Sequence, residues 1–333
     1  MKVLMVYAHP EPQSLNGSLK NLAVETLRQE GHEVQVSDLY AMHWKAVADE
    51  ADFTALQHPE RLNYSSESRH ALHSGTQAPD IAAEQAKLLW ADAVIFQFPL
   101  WWFSVPAILK GWFERVYAYG FGYGVGQHGG GRWGDRYGEG TLKGRRALLS
   151  VTMGGREPQY GPRGVNGPIE DLLFHVHHGM LFYPGMEVLP PFLVYESRGI
   201  DAVGYDQLAQ AYRERLRRLF SDEPLPYRTQ NGGDYDERQV LRDTVAPGAV
   251  GFSAHLRGNT PPATQQIPAI TPTPSPWSPH EHPSVLKPPR SAQRRTRPGH
   301  RPRPGRQAHR RRRGTGVAAR PPAVPARRRL CRS

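Results

Sequence analysis

Short apolar runs alternate with amphipathic helical stripes through most of this chain, and that alternation limits what it can fold into more than any other feature. Lys2 to Ala8 reads as a buried opening strand. Ser14 then caps a stripe of Leu15, Leu19, Leu22, Ala23, Thr26 and Leu27 that stops at Gly31. Glu33 to Leu39 reads as a second strand, Ala78 to Ala91 as a helix, Ala93 to Phe98 as a third strand and Pro106 to Tyr117 as a helix. Arg145 to Thr152 reads as the fourth strand, Ile169 to Gly179 as a helix, Val188 to Tyr195 as the fifth strand and Asp201 to Phe220 as the last helix. The order predicts an α/β fold with a mostly parallel sheet and helices on both faces, whose ligands bind at the carboxyl ends of the strands. Met42 to Thr76 and Gly120 to Gly140 read as loops, and loops this long in a compact domain are usually functional or disordered.

The alternation stops near residue 258, and composition changes there. Residues 259–333 hold 17 Lys/Arg against one acid, Glu281, together with 16 of the 31 Pro and a single aromatic, Trp277. The first 258 residues therefore carry 25 basic and 30 acidic side chains, so the +11 of the whole chain belongs to its end. Two units are expected: 1–258, a folded domain, and 259–333, a disordered basic tail rich in Pro and Arg that lacks the apolar surface to offset ordering entropy. Arg310 to Arg313 and Arg327 to Arg329 suit phosphate contacts, but the favoured reading of the tail is a non-functional extension, and nucleic acid is not expected as a partner. The one cysteine, Cys331, lies in that tail. This excludes a Cys-ligated zinc site and thiol catalysis in the folded body and fits a reducing, cytoplasmic setting. Val3 to Ala8 is too short for a secretory core. Ala93 to Leu109 is interrupted by Gln97, Pro99, Ser104 and Pro106, so no integral membrane segment is expected.

The turn after the first strand runs from His9 to Asn16 without a glycine, which disfavours a nicotinamide-binding G-x-G-x-x-G site. It still offers Ser14, Asn16, Ser18 and the free amides of a helix N-terminus, a combination that suits a phosphate and equally suits an ordinary capped turn. The third strand ends in Leu100, Trp101, Trp102 and Phe103. Aromatics are usually core, yet these occupy a turn that should face the cleft and so could wall a planar ligand. The fourth strand ends in Thr152, Met153, Gly154 and Gly155, where paired glycines let a ligand approach the backbone. A phosphate site, an aromatic wall and an open backbone are what a flavin needs. His175, His177 and His178 lack a matching acidic or cysteine ligand set, so no metal site is expected. G-x-S-x-G and G-x-x-x-x-G-K-[ST] are both absent.

Asp38 to Met42, Pro79 to Ile81 and above all Val94 to Leu100 followed by Val105 to Val116 resemble the NAD(P)H:quinone oxidoreductase (DT-diaphorase) family of flavodoxin-like flavoproteins. The likeness runs from Met1 to about Leu256, and Gly120 to Gly140 looks like bacterial members. It implies a doubly wound five-stranded parallel sheet in order 2-1-3-4-5, FAD rather than FMN, NAD(P)H as co-substrate, and a homodimer with active sites at the interface. Carried over by motif, His9, Leu15, Asn16 and Ser18 would hold the pyrophosphate. Leu100, Trp101, Trp102, Phe103, Thr152, Met153, Gly154, Gly155 and Tyr160 would surround the ring, and Asn63 would meet the adenine side. Gly122, Tyr123, Gly124 and Tyr183 would line the substrate site of the partner subunit. Tyr160 and Asn166 fall where the catalytic residues are expected, Asn166 standing where animal members have a histidine. The leading expectation is a two-electron quinone reductase working by a ping-pong mechanism. The alternative is a flavin- and nucleotide-binding regulatory subunit of an ion-efflux system.

Overall fold

The computed structural model describes residues 1–258, so the expected tail lies outside the described residues. The elements run β1 (Lys2–Tyr7), α1 (Leu15–Gln29), β2 (Glu33–Asp38), α2 (Tyr64–Ser74), α3 (Pro79–Trp90), β3 (Ala93–Pro99), α4 (Ala107–Val116), β4 (His128–Gly129), β5 (Arg132–Trp133), β6 (Arg146–Thr152), α5 (Ile169–Val176), β7 (Glu187–Val188), β8 (Phe192–Val194) and α6 (Ala202–Arg217). The main sheet is parallel in order β2-β1-β3-β6, with β7 and then β8 beside β6. The sheet thus has the five positions and the order the sequence implied. Its fifth position is split, because Pro190 and Pro191 stand between β7 and β8 and proline cannot donate to a ladder.

Both faces of the central strands β1, β3 and β6 are buried, which is why they read as nearly continuous apolar runs, whereas the edge strand β2 alternates Val34 and Val36 with polar residues and is partly exposed. Leu4 and Val6 of β1 face a core with Phe96, Leu109, Trp112 and Leu149, under α3, α4 and α5. Val3 and Met5 face a second core with Leu19, Leu27, Phe192, Tyr212 and Leu216, under α1 and α6. Each such side chain contributes about 1.5–3 kcal/mol by leaving water.

Two expected loops contain structure. Residues 42–76 include α2, whose start is capped by Asn63 and whose end is closed by Gly75 at φ 72°. A buried ion network ties this excursion to α4 and α3: Arg115 donates to Asp52 Oδ1 at 2.9 Å and to Asp80 at 2.8 Å, and Tyr64 donates to Asp52 at 2.7 Å. Within Gly120 to Gly140, β4 and β5 form a small antiparallel hairpin. The helix expected over Ile169 to Gly179 is α-helical to Val176 and then widens into a π turn over His177–Phe182.

Candidate functional site

Three neighbouring strands, β1, β3 and β6, end side by side, and their final residues make the site. After β1 the chain folds back over the start of α1. Gly17 is required there, because a Cβ would lie 1.9 Å from the Pro12 carbonyl oxygen. The Ser14 side chain accepts from Gly17 N–H at 3.2 Å, while the amides of Leu15 and Asn16 have no intrahelical acceptor. Glu11 N–H donates to His9 Nδ1 at 3.1 Å, and Ser14 Oγ lies 3.0 Å from the same nitrogen. Ser18 sits in the same first turn, its N–H donating to the Ser14 carbonyl at 2.9 Å.

A buried hydrogen-bonded chain locks the three strand ends together. Gln97 Nε2 donates to Asn16 Oδ1, and Asn16 Nδ2 donates to Thr152 Oγ1, each at 2.8 Å. Asn16 is therefore committed to the protein interior as well as to the helix start. Gln97, a lone amide within an otherwise apolar strand, was a visible sequence signal for this link, although only as an interruption.

The aromatic turn after β3 is the most unusual backbone in the site. Trp101 and Ser104 exchange two backbone hydrogen bonds of 3.1 Å around Trp102 and Phe103, whose φ values are 49° and 61°. Two successive positive φ angles mark a turn that favours Asn and Gly. Here both positions carry large rings, at about 1–3 kcal/mol of strain each. Trp102 is 95% exposed, and Trp101 and Phe103 are also exposed. Ser104 Oγ lies 3.0 Å from His175 Nε2 on α5, a side-chain link from the turn to the body.

Opposite this turn, Gly154 and Gly155 follow Thr152 and buried Met153. A Cβ on Gly154 would meet nothing closer than Arg198 Nε at 3.9 Å, so this backbone is open. Gly155 is filled from the other side, since a Cβ would lie 3.0 Å from the Tyr160 hydroxyl. Tyr160 is buried against Tyr195, with ring centroids 5.8 Å apart, and burial raises its pKa. It stays protonated, and among the described residues its hydroxyl has no partner. The Asn166 N–H donates to the Gln159 carbonyl at 3.0 Å, which brings Asn166 beside the Gln159–Tyr160 pair.

The remaining expected residues lie elsewhere in the same chain. Asn63 is exposed, its side chain accepting from Ser66 N–H at 3.2 Å. Tyr123 and Gly124 sit against Tyr119, whose ring meets Tyr123 edge-on at 5.1 Å, and Gly122 packs against Tyr117. Tyr183 lies against Tyr137, with centroids 4.9 Å apart. Among the described residues no hydrogen bond or ring contact joins these groups to the strand-end cluster.

A profile described as flavodoxin-like fold matches residues 1–216. With the strand order and the strained aromatic turn, the curated relatives decide the narrower assignment. The chain is 52% identical to the ribosyldihydronicotinamide dehydrogenase-like protein traD of Penicillium crustosum, over 77% of its own length and 96% of that protein's. It is 40% identical to NAD(P)H dehydrogenase [quinone] 1 of Cavia porcellus, over 80% of this chain and 98% of that one. This chain belongs to the NAD(P)H:quinone oxidoreductase family. Among solved members, the crystal structure of a provisionally assigned quinone reductase from Klebsiella pneumoniae superposes with a TM-score of 0.76 at 58% identity, covering 77% of this chain and all of that one. The Klebsiella pneumoniae (strain 342) glutathione-regulated potassium-efflux system ancillary protein KefF is more distant, at 30% identity over 64% of this chain.

In the frame of that family, the cluster provides what a flavin requires of a protein. Unpaired amides at a helix N-terminus suit a pyrophosphate, an exposed aromatic turn suits a planar ring, and the open Gly154 backbone suits the ring's polar edge. No helix among the described residues is long and apolar enough to cross a membrane.

Proposed function

We propose that this chain is a flavin-dependent oxidoreductase that passes two electrons from NAD(P)H to a quinone, the two substrates using one pocket in turn. The observation that carries this reading is the Trp101–Ser104 turn, where two bulky aromatic side chains are held in strained conformations and left in solvent. Folding gains nothing from that arrangement, whereas a stacked ring would repay it. When bound, the flavin supplies the hydride acceptor and donor that the side chains lack.

FAD is the flavin proposed, on the family resemblance. Its pyrophosphate would meet the Leu15 and Asn16 amides with His9 and Ser18 nearby, and Asn63 would lie toward the adenine. Leu100, Trp101, Trp102, Phe103, Thr152, Met153, Gly154, Gly155 and Tyr160 would enclose the ring. Tyr160 would donate a hydrogen bond to negative charge that develops at the ring's pyrimidine edge, a stabilisation of the kind that lowers barriers most. Asn166 would orient Tyr160 or the substrate. Gly122, Tyr123, Gly124 and Tyr183 stand apart from the strand-end cluster of their own chain, which supports a homodimer in which they complete the partner's pocket.

The test is direct. Purified protein should be yellow, should release FAD on denaturation, and should oxidise NADPH with menadione at ordinary enzymatic rates. A colourless protein, or a flavin-loaded one with negligible turnover, would overturn the reading and favour a regulatory role.

A further inference from the structure

Arg136 lies between β5 and β6, half-buried, with its guanidinium 5.9 Å above the ring of Tyr183. Its side-chain hydrogen bonds go to neutral acceptors. Nε donates to Gln230 Oε1 at 2.5 Å and Nη2 donates to Gln239 Oε1 at 2.9 Å. Carboxylates are plentiful nearby, but other cations engage them. Asp135 and Glu139 pair with Arg132 at 3.1 and 3.3 Å, Asp234 with Arg228 at 3.0 Å, and Asp236 with Arg238 at 3.2 Å. Among the described residues Arg136 has no carboxylate partner, and most of the donors of its fork remain available.

A second donor is stranded beside it. Gln239 holds Arg136 through Oε1, while its Nε2 is buried and, among the described residues, has no acceptor. Tyr137 and Gln239 themselves sit at φ 51° and 64°, conformations that side chains other than glycine rarely adopt. A cation given only neutral partners, an orphaned buried amide and a backbone strained to bring both together make a receptor for an anion.

We propose that Arg136 and Gln239 bind a phosphate group of the reduced nicotinamide donor, and so make phosphorylated dihydronicotinamides the preferred source of hydride. The inference rests on the function proposed above, in which Tyr183 lines the substrate pocket of the partner subunit. The ring beneath the guanidinium then puts the cation at the edge of that pocket. Simple quinones and the riboside donor carry no phosphate, so the anion a substrate can bring to this receptor is the phosphate of a phosphorylated donor, and guanidinium is suited to it.

The experiment compares kcat/KM for NADPH, NADH, reduced nicotinamide mononucleotide and dihydronicotinamide riboside against one uncharged quinone. Wild-type protein should prefer the phosphorylated donors to the riboside. Arg136→Gln should lower that preference about tenfold or more, chiefly through KM, the loss expected for one charge-assisted hydrogen bond. Gln239→Glu keeps Arg136 in place but gives it a carboxylate, and should lower the preference as well. A fall confined to NADPH assigns the 2′-phosphate, and a fall shared by all three phosphorylated donors assigns the 5′ side. Calorimetric titration of the same proteins with NADP+ and nicotinamide riboside reads the receptor without turnover. Equal preference in wild type and both variants, by kinetics and by titration, would overturn the inference. Absence of quinone reduction with every donor, alongside intact discrimination in the titration, would instead count against the proposed reaction.

Discussion

Trp102 and Phe103 set the stability of the ligand-free protein against its function. Replacing them with Asn and Gly installs the residues that a turn with two positive φ angles prefers. We expect Trp102→Asn/Phe103→Gly to stabilise the ligand-free protein by about 1–2 kcal/mol in urea unfolding, because strain is relieved and no buried contact is lost. The same variant should lose flavin on gel filtration. Retained flavin with no gain in stability would show that neither ring stacks on it. A second expectation concerns protons. Asn166 cannot take up a proton near neutral pH, and Tyr160 stays protonated because burial raises its pKa. Flavin reduction followed by rapid mixing should therefore lack a break near ~6.5, the ordinary histidine value. The rival is His128, whose ring lies 2.6 Å from where a Gly134 Cβ would be, inside its own hairpin. A break abolished by His128→Gln, but not by Asn166→Ala, would give the proton chemistry to the hairpin.

At the scale of elements, the centre of the sheet is legible because both faces of β1, β3 and β6 are buried, so each announces itself as a nearly continuous apolar run, while edge strand β2 shows only Val34 and Val36 alternating with polar residues. What could not be read was structure held by polar groups. The α2 excursion is held by Asp52, Arg115, Asp80 and Tyr64, residues far apart in sequence whose pairing leaves no periodic trace. The Gln97–Asn16–Thr152 chain is invisible for the same reason, its three members standing far apart in sequence. At the site, the strand-end residues could be found because motif and topology put them together, whereas Arg136 and Gln239 are separated by 103 positions and joined only by folding. The α2 network carries its own prediction. Asp52 is fully buried, with Arg115 beside it at 2.9 Å. Asp52→Ala leaves that guanidinium only the half-exposed Asp80 and takes the acceptor from Tyr64 and Lys45, and we expect a loss of about 3 kcal/mol in urea unfolding. A loss below 1 kcal/mol would mean that Asp80 alone suffices for Arg115.

For the whole molecule, residues 225–258 lie beyond the matched flavodoxin-like region, yet they are built into the core rather than appended to it. Tyr227 and Leu256 belong to the larger core, Phe252 stacks on Phe174 at 4.3 Å, and Trp133 Nε1 donates to the Glu237 carbonyl at 3.1 Å. The seam centres on His178, stacked against both Phe174 and Tyr137 at 4.7 and 4.6 Å and facing His255 at 5.7 Å. Burial lowers the His178 pKa to about 4 and that of neighbouring His177 to about 3. Both rings are therefore neutral in the fold while the unfolded chain takes up protons below about 6.5. The unfolded state binds more protons across that window, so stability is full above it and falls as pH drops through it. At pH 5 each ring should cost about 2 kcal/mol relative to pH 8. His178→Phe keeps the stacking without the titration, so urea unfolding at the two pH values should show a smaller acid loss in the variant than in wild type. Deleting residues 259–333 should leave flavin content, reductase rate and this pH dependence unchanged, whereas deleting from 225 onward should release flavin and expose Phe174 and Tyr137. If the shorter deletion alone abolished flavin binding, the site would depend on the basic tail. If His178→Phe lost as much stability in acid as wild type, the seam would not be what acid opens.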